Sequence, residues 1–260
     1  MKYTLIIFTL ILLSGLTFGQ KSEKTDFLPE IIKRDISGLL TLDKFNIEND
    51  TAVIERMEPL GFIGANFQRL QIHFITVIKN PFNPAVYFVY GKTKVKRNIC
   101  SFHGNITLTE SNIYTDTIYA IDTIYPNIEQ GFFKGKYEFK EDLPKRGAGI
   151  FSGKFNTYFY LDQYKNLKYN ALEFGADGYS NNEFEGIWKS NKNGDIKKCN
   201  WGDYRIPDSE NLDIGAGEFS VDEKYLKYGW RNLMKTYGYQ NNNKKSIKQA
   251  RKREDEKWWK

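Results

Sequence analysis

The densest mixture of ring, charge and glycine in the 260-residue chain is Trp201-Gly202-Asp203-Tyr204-Arg205-Ile206-Pro207. Aromatic faces cover the apolar side of a sugar or small ligand, while a neighbouring carboxylate and guanidinium bond its polar groups. Phe184 and Trp188 lie on the preceding apolar stretch. The expected ligand-binding set is Phe184, Trp188, Trp201, Asp203, Tyr204 and Arg205. The same residues would equally close the rim of a β-barrel over itself.

Hydrolytic chemistry would need two acids flanking a glycosidic bond. Glu173, Asp177, Glu183, Glu185 and Asp203 are the candidates. With 32 acidic residues in the chain, accidental pairs are certain, so no catalytic residue is assigned. The two histidines, His73 and His103, each sit inside an apolar strand-like stretch, and the two cysteines are far apart. Clustered zinc ligands are missing. No Gly-x-Ser-x-Gly elbow occurs, and Ile214-Gly215-Ala216-Gly217 lacks the lysine and hydroxyl of a phosphate loop. Neither metal nor cofactor is expected.

The elements that must carry these residues begin with an export signal. Met1-Lys2 is a basic start, Leu5 to Leu13 is apolar apart from Thr9, and Thr17 and Gly19 are small at the −3 and −1 positions of a cut before Gln20. The run is too short to span a bilayer. No cysteine precedes Cys100, so the expected product is periplasmic or secreted, without a lipid anchor. An oxidising compartment permits a Cys100–Cys199 disulfide. Residues 244–260 hold eight basic and three acidic side chains, so that tail carries +5 and residues 20–243 balance to zero. Nucleic acid is therefore not an expected partner of the body, though the tail, which ends Lys257-Trp258-Trp259-Lys260, could touch anionic surfaces.

The body reads as β. Phe-x-Gly-x-aromatic/aliphatic units recur at Phe102–Ile106, Phe133–Tyr137, Phe151–Phe155 and Phe184–Trp188, with Ile36–Leu40 a looser relative. Alternation puts the first, third and fifth residues on one face, where the glycine lets a strand bend or a ring cover it. Strands are expected at 51–58, 67–78, 85–96, 98–108, 132–140, 149–162, 169–174, 183–190 and 196–204. Asn193-Gly194 as a two-residue turn would set Trp188 opposite Cys199, Gly186 opposite Trp201 and Phe184 opposite Asp203. Ser220 and Glu223 fit a capping box opening a closing helix over about 221–237. The expected plan is a polar leader at 20–26, a single β-rich domain at 27–240 and a basic mobile tail at 241–260. An antiparallel up-and-down barrel is preferred to a sandwich, and its strand style resembles lipocalin-like barrels without any diagnostic motif. The functional expectation is a non-enzymatic protein binding a small apolar molecule or glycan. A carboxylate-dependent glycan hydrolase and a structural envelope protein are the alternatives.

Overall fold

The computed structural model describes residues 24–115, 124–125, 127–143, 147–238 and 243–260. The expected signal peptide and leader residues 20–23 lie outside the described residues. Leader residues 24–26 form a strand.

In chain order the elements are β1 (Lys24–Asp26), α1 (Leu28–Ile31), α2 (Ser37–Thr41), β2 (Lys44–Asn46), β3 (Val53–Glu55) and β4 (Leu60–Ile63). Then come β5 (Gln68–Lys79), β6 (Val86–Val95), β7 (Asn98–Tyr114), β8 (Glu129–Glu141), β9 (Gly149–Leu161) and β10 (Leu167–Tyr169). β11 (Asn181–Ser190) and β12 (Ile196–Asp203) complete the strands. Apart from the β2–β3 ribbon, they form one ten-stranded antiparallel sheet. Strands β4 to β9, with β11 and β12, follow one another round a near-closed ring of eight, because β12 pairs back onto β4. The seam is the short β4–β5 contact, with Phe62 opposite Arg69 and Ile63 opposite Gln68. This is the barrel-like alternative rather than the sandwich.

Alternation builds the core. On β8, Phe133, Gly135, Tyr137 and Phe139 face inward while Lys134, Lys136, Glu138 and Lys140 face solvent. Inside the ring Phe184 stacks on Trp201 at 4.8 Å and on Phe155 at 5.2 Å, and Tyr137 meets Trp201 edge-on at 5.1 Å. Each fully buried ring of this size is worth about 2–3 kcal/mol over exposure. Ring-over-glycine contacts give the strands room to curve. A methyl added at Gly135 would sit 2.5 Å from the Phe155 ring, and one at Gly131 would sit 2.8 Å from the Phe159 ring. At the end of the ring that carries Lys79, α1 and α2 act as a plug: Ile31, Ile36, Leu39 and Leu40 all join the central core. Lys79 Nζ donates to the Ile32 and Arg34 carbonyls, and the Tyr87 hydroxyl donates to Arg34.

Several local expectations are corrected. The β11–β12 hairpin closes through Ser190 N–H to the Asp195 carbonyl, so Asn191–Gly194 is a four-residue loop. Gly194 takes the left-handed position at its end (φ +74°) instead of sharing a two-residue turn with Asn193. Pairing shifts by two: Phe184 faces Trp201, Gly186 faces Cys199 and Trp188 faces Lys197. A shift of two preserves the face of every side chain. Gly186 is covered by Tyr137 rather than by Trp201.

Ile36–Leu40 is not a strand unit; Ser37–Thr41 is helical. The single closing helix is two pieces: a 3-10 turn at Glu223–Tyr228 capped by Asp222, then α3 (Arg231–Thr236) after left-handed Gly229. Ser220 therefore does not open it. Of the tail, expected to be mobile or marginally helical, residues 243–260 pack down. α4 (Lys244–Glu254) buries Ala250, and Trp258 beyond it is 8% exposed. Finally, Cys100 and Cys199 are buried far apart on the ring, and no disulfide joins them.

Candidate functional site

Asp203 ends β12 and turns inward with its side chain fully buried. Arg56, just beyond β3, grips it with two prongs, Nη2 at 2.6 Å and Nε at 3.0 Å. The Tyr169 hydroxyl (2.9 Å) and the Asn182 amide (2.8 Å) donate to the same carboxylate. Arg56 also donates to the Leu42 carbonyl, and Asn182 to that of Leu39. Burial opposes the Arg56 charge, but the facing Asp203 holds its pKa above the ordinary value. Burial and the same carboxylate push the Tyr169 hydroxyl well up. Every partner of Asp203 is a donor locked by other contacts, so this node ties β12 to α2, β3, β10 and the β11 bulge. It is structural in character. Glu183 lies one residue before inward-facing Phe184 and thus on the outer face, bonded to Ser180 and Asn156. Asp203 and Glu183 do not face each other across a cleft.

The chain after Asp203 does build a surface site. Tyr204 adopts a left-handed backbone (φ 62°), which throws its ring outward against Phe174 (5.2 Å) and Tyr179 (5.3 Å). These rings, with Met57, Leu60, Phe219 and Tyr237, line a groove of about 280 Å³. Asp177 and Glu218 stand exposed on its rim. The Tyr204 hydroxyl is buried beside the Met57 backbone without completing a hydrogen bond; burial first, then Asp203, raises its pKa. Arg205 supports the rim from below. It pairs with Asp213 at 2.8 Å and donates to the carbonyls of Gly215, Ala216 and Gly217, holding the glycine-rich segment as one wall.

A second recess, about 830 Å³, opens where β8, β11 and β12 reach the other end of the ring. Glu141 lies at its floor, 6% exposed. It accepts from the Trp188 indole (3.0 Å), the Gly149 N–H (2.8 Å) and the Thr93 hydroxyl. Burial outweighs these bonds and raises the Glu141 pKa. Lys96, Lys197 and Lys198 rim the recess, but Lys198 is neutralised by Asp208 and Glu210, and Lys197 lies over the Trp188 ring.

The six sequence-chosen residues therefore separate. Phe184 and Trp201 are core, Asp203 is the buried node, Trp188 borders the Glu141 recess, and only Tyr204 and Arg205 reach the aromatic groove. Sequence reasoning missed Arg56, Asn182, Tyr169 and Glu141, none of which stands in a recognisable motif. Tyr237, the last residue of the expected closing helix, is 37% exposed at the groove. Among the described residues no group of His, Cys, Asp and Glu is arranged to hold a metal. No family model, curated protein or solved structure matches the chain.

Proposed function

We propose that the chain is an exported, non-enzymatic binding protein that seats a neutral sugar or similar polyol in the Tyr204 groove. One observation carries this reading: Phe174, Tyr179, Tyr204 and Tyr237 meet in a groove whose rim bears the exposed carboxylates Asp177 and Glu218. Rings cover the C–H faces of a sugar, and carboxylates accept from its hydroxyls. The ring interior is not the binding place in this reading, because its stacked side chains fill it. Export rests on the signal-like residues 1–19.

The test is a neutral-glycan array followed by calorimetry on the best hit. Tyr237→Ala and Asp177→Ala touch little of the core and should each weaken binding about tenfold or more, the loss of one stacking or charge-assisted contact. A wild-type protein that binds no glycan on the array, or variants that bind like wild type, would overturn the proposal.

A further inference from the structure

The outer face of β5 and β6 carries a ladder of cations and amides. Arg69, Gln71 and His73 alternate outward on β5, and Lys92 and Lys94 do so on β6, with Gln71 opposite Lys94 and His73 opposite Lys92; Lys96 follows in the left-handed turn just beyond β6. Lys227 and Gly229, from the 3-10 turn and its cap, close the side of this ladder. Together they bound a cleft of about 260 Å³ lined by Gln68, Arg69, Gln71, Lys94, Lys96 and Lys227.

The basic tail is locked onto the same face. Arg69 pairs with Glu254 of α4 at 2.6 Å, Trp259 stacks on His73 at 3.9 Å, and Lys94 lies 5.7 Å over the Trp258 ring. All eight basic side chains of residues 244–260 remain exposed, with Asp255 and Glu256 as the exposed acids among them. The net +5 of the tail is thus added to the lysines of the cleft rather than dispersed on a loose end.

We infer that this face binds an acidic polysaccharide, one bearing uronate carboxylates or sulfates, along the Lys94–Lys96–Lys227 cleft and the exposed side of α4. The placement of the indoles selects this class. Membrane docking needs aromatic side chains that can enter the interface, but Trp258 is buried and Trp259 is stacked on the barrel. Single-stranded nucleic acid needs rings for its bases, yet Lys94 covers Trp258 and Lys227 lies 5.2 Å over Tyr228. Cations and amides remain, and these match charged and hydroxyl groups on a sugar chain. The inference stands apart from the Tyr204 groove, which lies at the Asp203 end of β12, whereas the cleft begins at the Gln68 end of β5.

The experiment passes full-length mature protein over immobilised heparin and polygalacturonate at low salt, with phosphatidylglycerol vesicles and single-stranded DNA at equal charge concentration in parallel. Retention on either polysaccharide, released by salt, is expected. The triple variant Lys94→Gln/Lys96→Gln/Lys227→Gln should lose about tenfold or more in affinity with unchanged circular dichroism. A charge-matched variant on the far side, Lys134→Gln/Lys136→Gln/Lys154→Gln, should bind like wild type. The inference is overturned if neither polysaccharide is retained, if vesicles or DNA bind as tightly as the better polysaccharide, or if the two triple variants behave alike.

Discussion

Arg56 and Asp203 lie 147 positions apart and meet as a two-pronged ion pair, with side-chain exposures of 11% and 0%. A buried pair of this kind adds little over a well-packed apolar pair, yet breaking one side strands the other charge. Asp203→Asn should therefore cost about 3–5 kcal/mol in urea denaturation. Arg56→Met combined with Asp203→Leu should recover only part of that loss, because Tyr169 and Asn182 still lose their acceptor. Equal destabilisation by the single and double variants would show that the lost acceptor of Tyr169 and Asn182, not the stranded Arg56 charge, sets the cost.

Glu141 makes stability depend on pH in the direction opposite to most carboxylates. Burial raises its folded pKa, so on raising the pH the unfolded chain ionises first. Its stabilising contribution is complete below the unfolded value of about 4.3 and is lost as pH climbs through the higher folded value. Glu141→Gln keeps an acceptor for Trp188 and Gly149 but cannot ionise. The stability difference between variant and wild type should move in favour of the variant across that window and then level off. Parallel stability–pH curves for the two proteins would contradict this account of Glu141.

Cys100 and Cys199 are 1% and 0% exposed, and burial first, then Glu141, holds the Cys199 thiol well above its ordinary pKa. Both should react with Ellman's reagent on the order of a hundredfold more slowly in the native protein than in guanidinium, because exposure requires opening the ring. Reductant should leave the melting temperature unchanged. A drop in melting temperature with dithiothreitol would reveal a bridge.

Much of the barrel was legible because strand alternation is a local property. The Lys134-x-Lys136-x-Glu138 pattern reports its own outward face, and the Asn193-Gly194 hairpin was found although its loop is longer. A register error of two residues leaves faces intact, so Phe184, Trp201 and Asp203 were correctly grouped on one side. What could not be read was contact between distant segments. Arg56 reaches Asp203 through closure of the ring, and Trp259 reaches His73 through docking of the tail on the outer face of β5, and neither pair leaves a spacing signal. Tyr204 was chosen for its neighbours in sequence, but its left-handed backbone is what turns it away from Asp203 and into the groove.

Glycine substitutions should separate the two kinds of glycine in this fold. A methyl at Gly149 would lie 2.3 Å from Trp188 Cε2 and 2.5 Å from the Lys189 carbonyl oxygen. The backbone cannot yield cheaply, so Trp188 must move and its bond to Glu141 is lost. Gly149→Ala should cost about 1–3 kcal/mol from overpacking. Trp188→Phe in that background should cost less than in wild type, because the two changes share one contact. Gly38 is the counterpart: it lies within α2, and a methyl added there would meet nothing within 4 Å. Gly38→Ala should stabilise by about 0.5–1 kcal/mol through helix propensity and a less flexible unfolded chain. Chemical denaturation of the four variants measures both effects. If Gly149→Ala were neutral while Trp188→Phe kept its full cost in that background, ring-over-glycine contact would not be what shapes this end of the barrel.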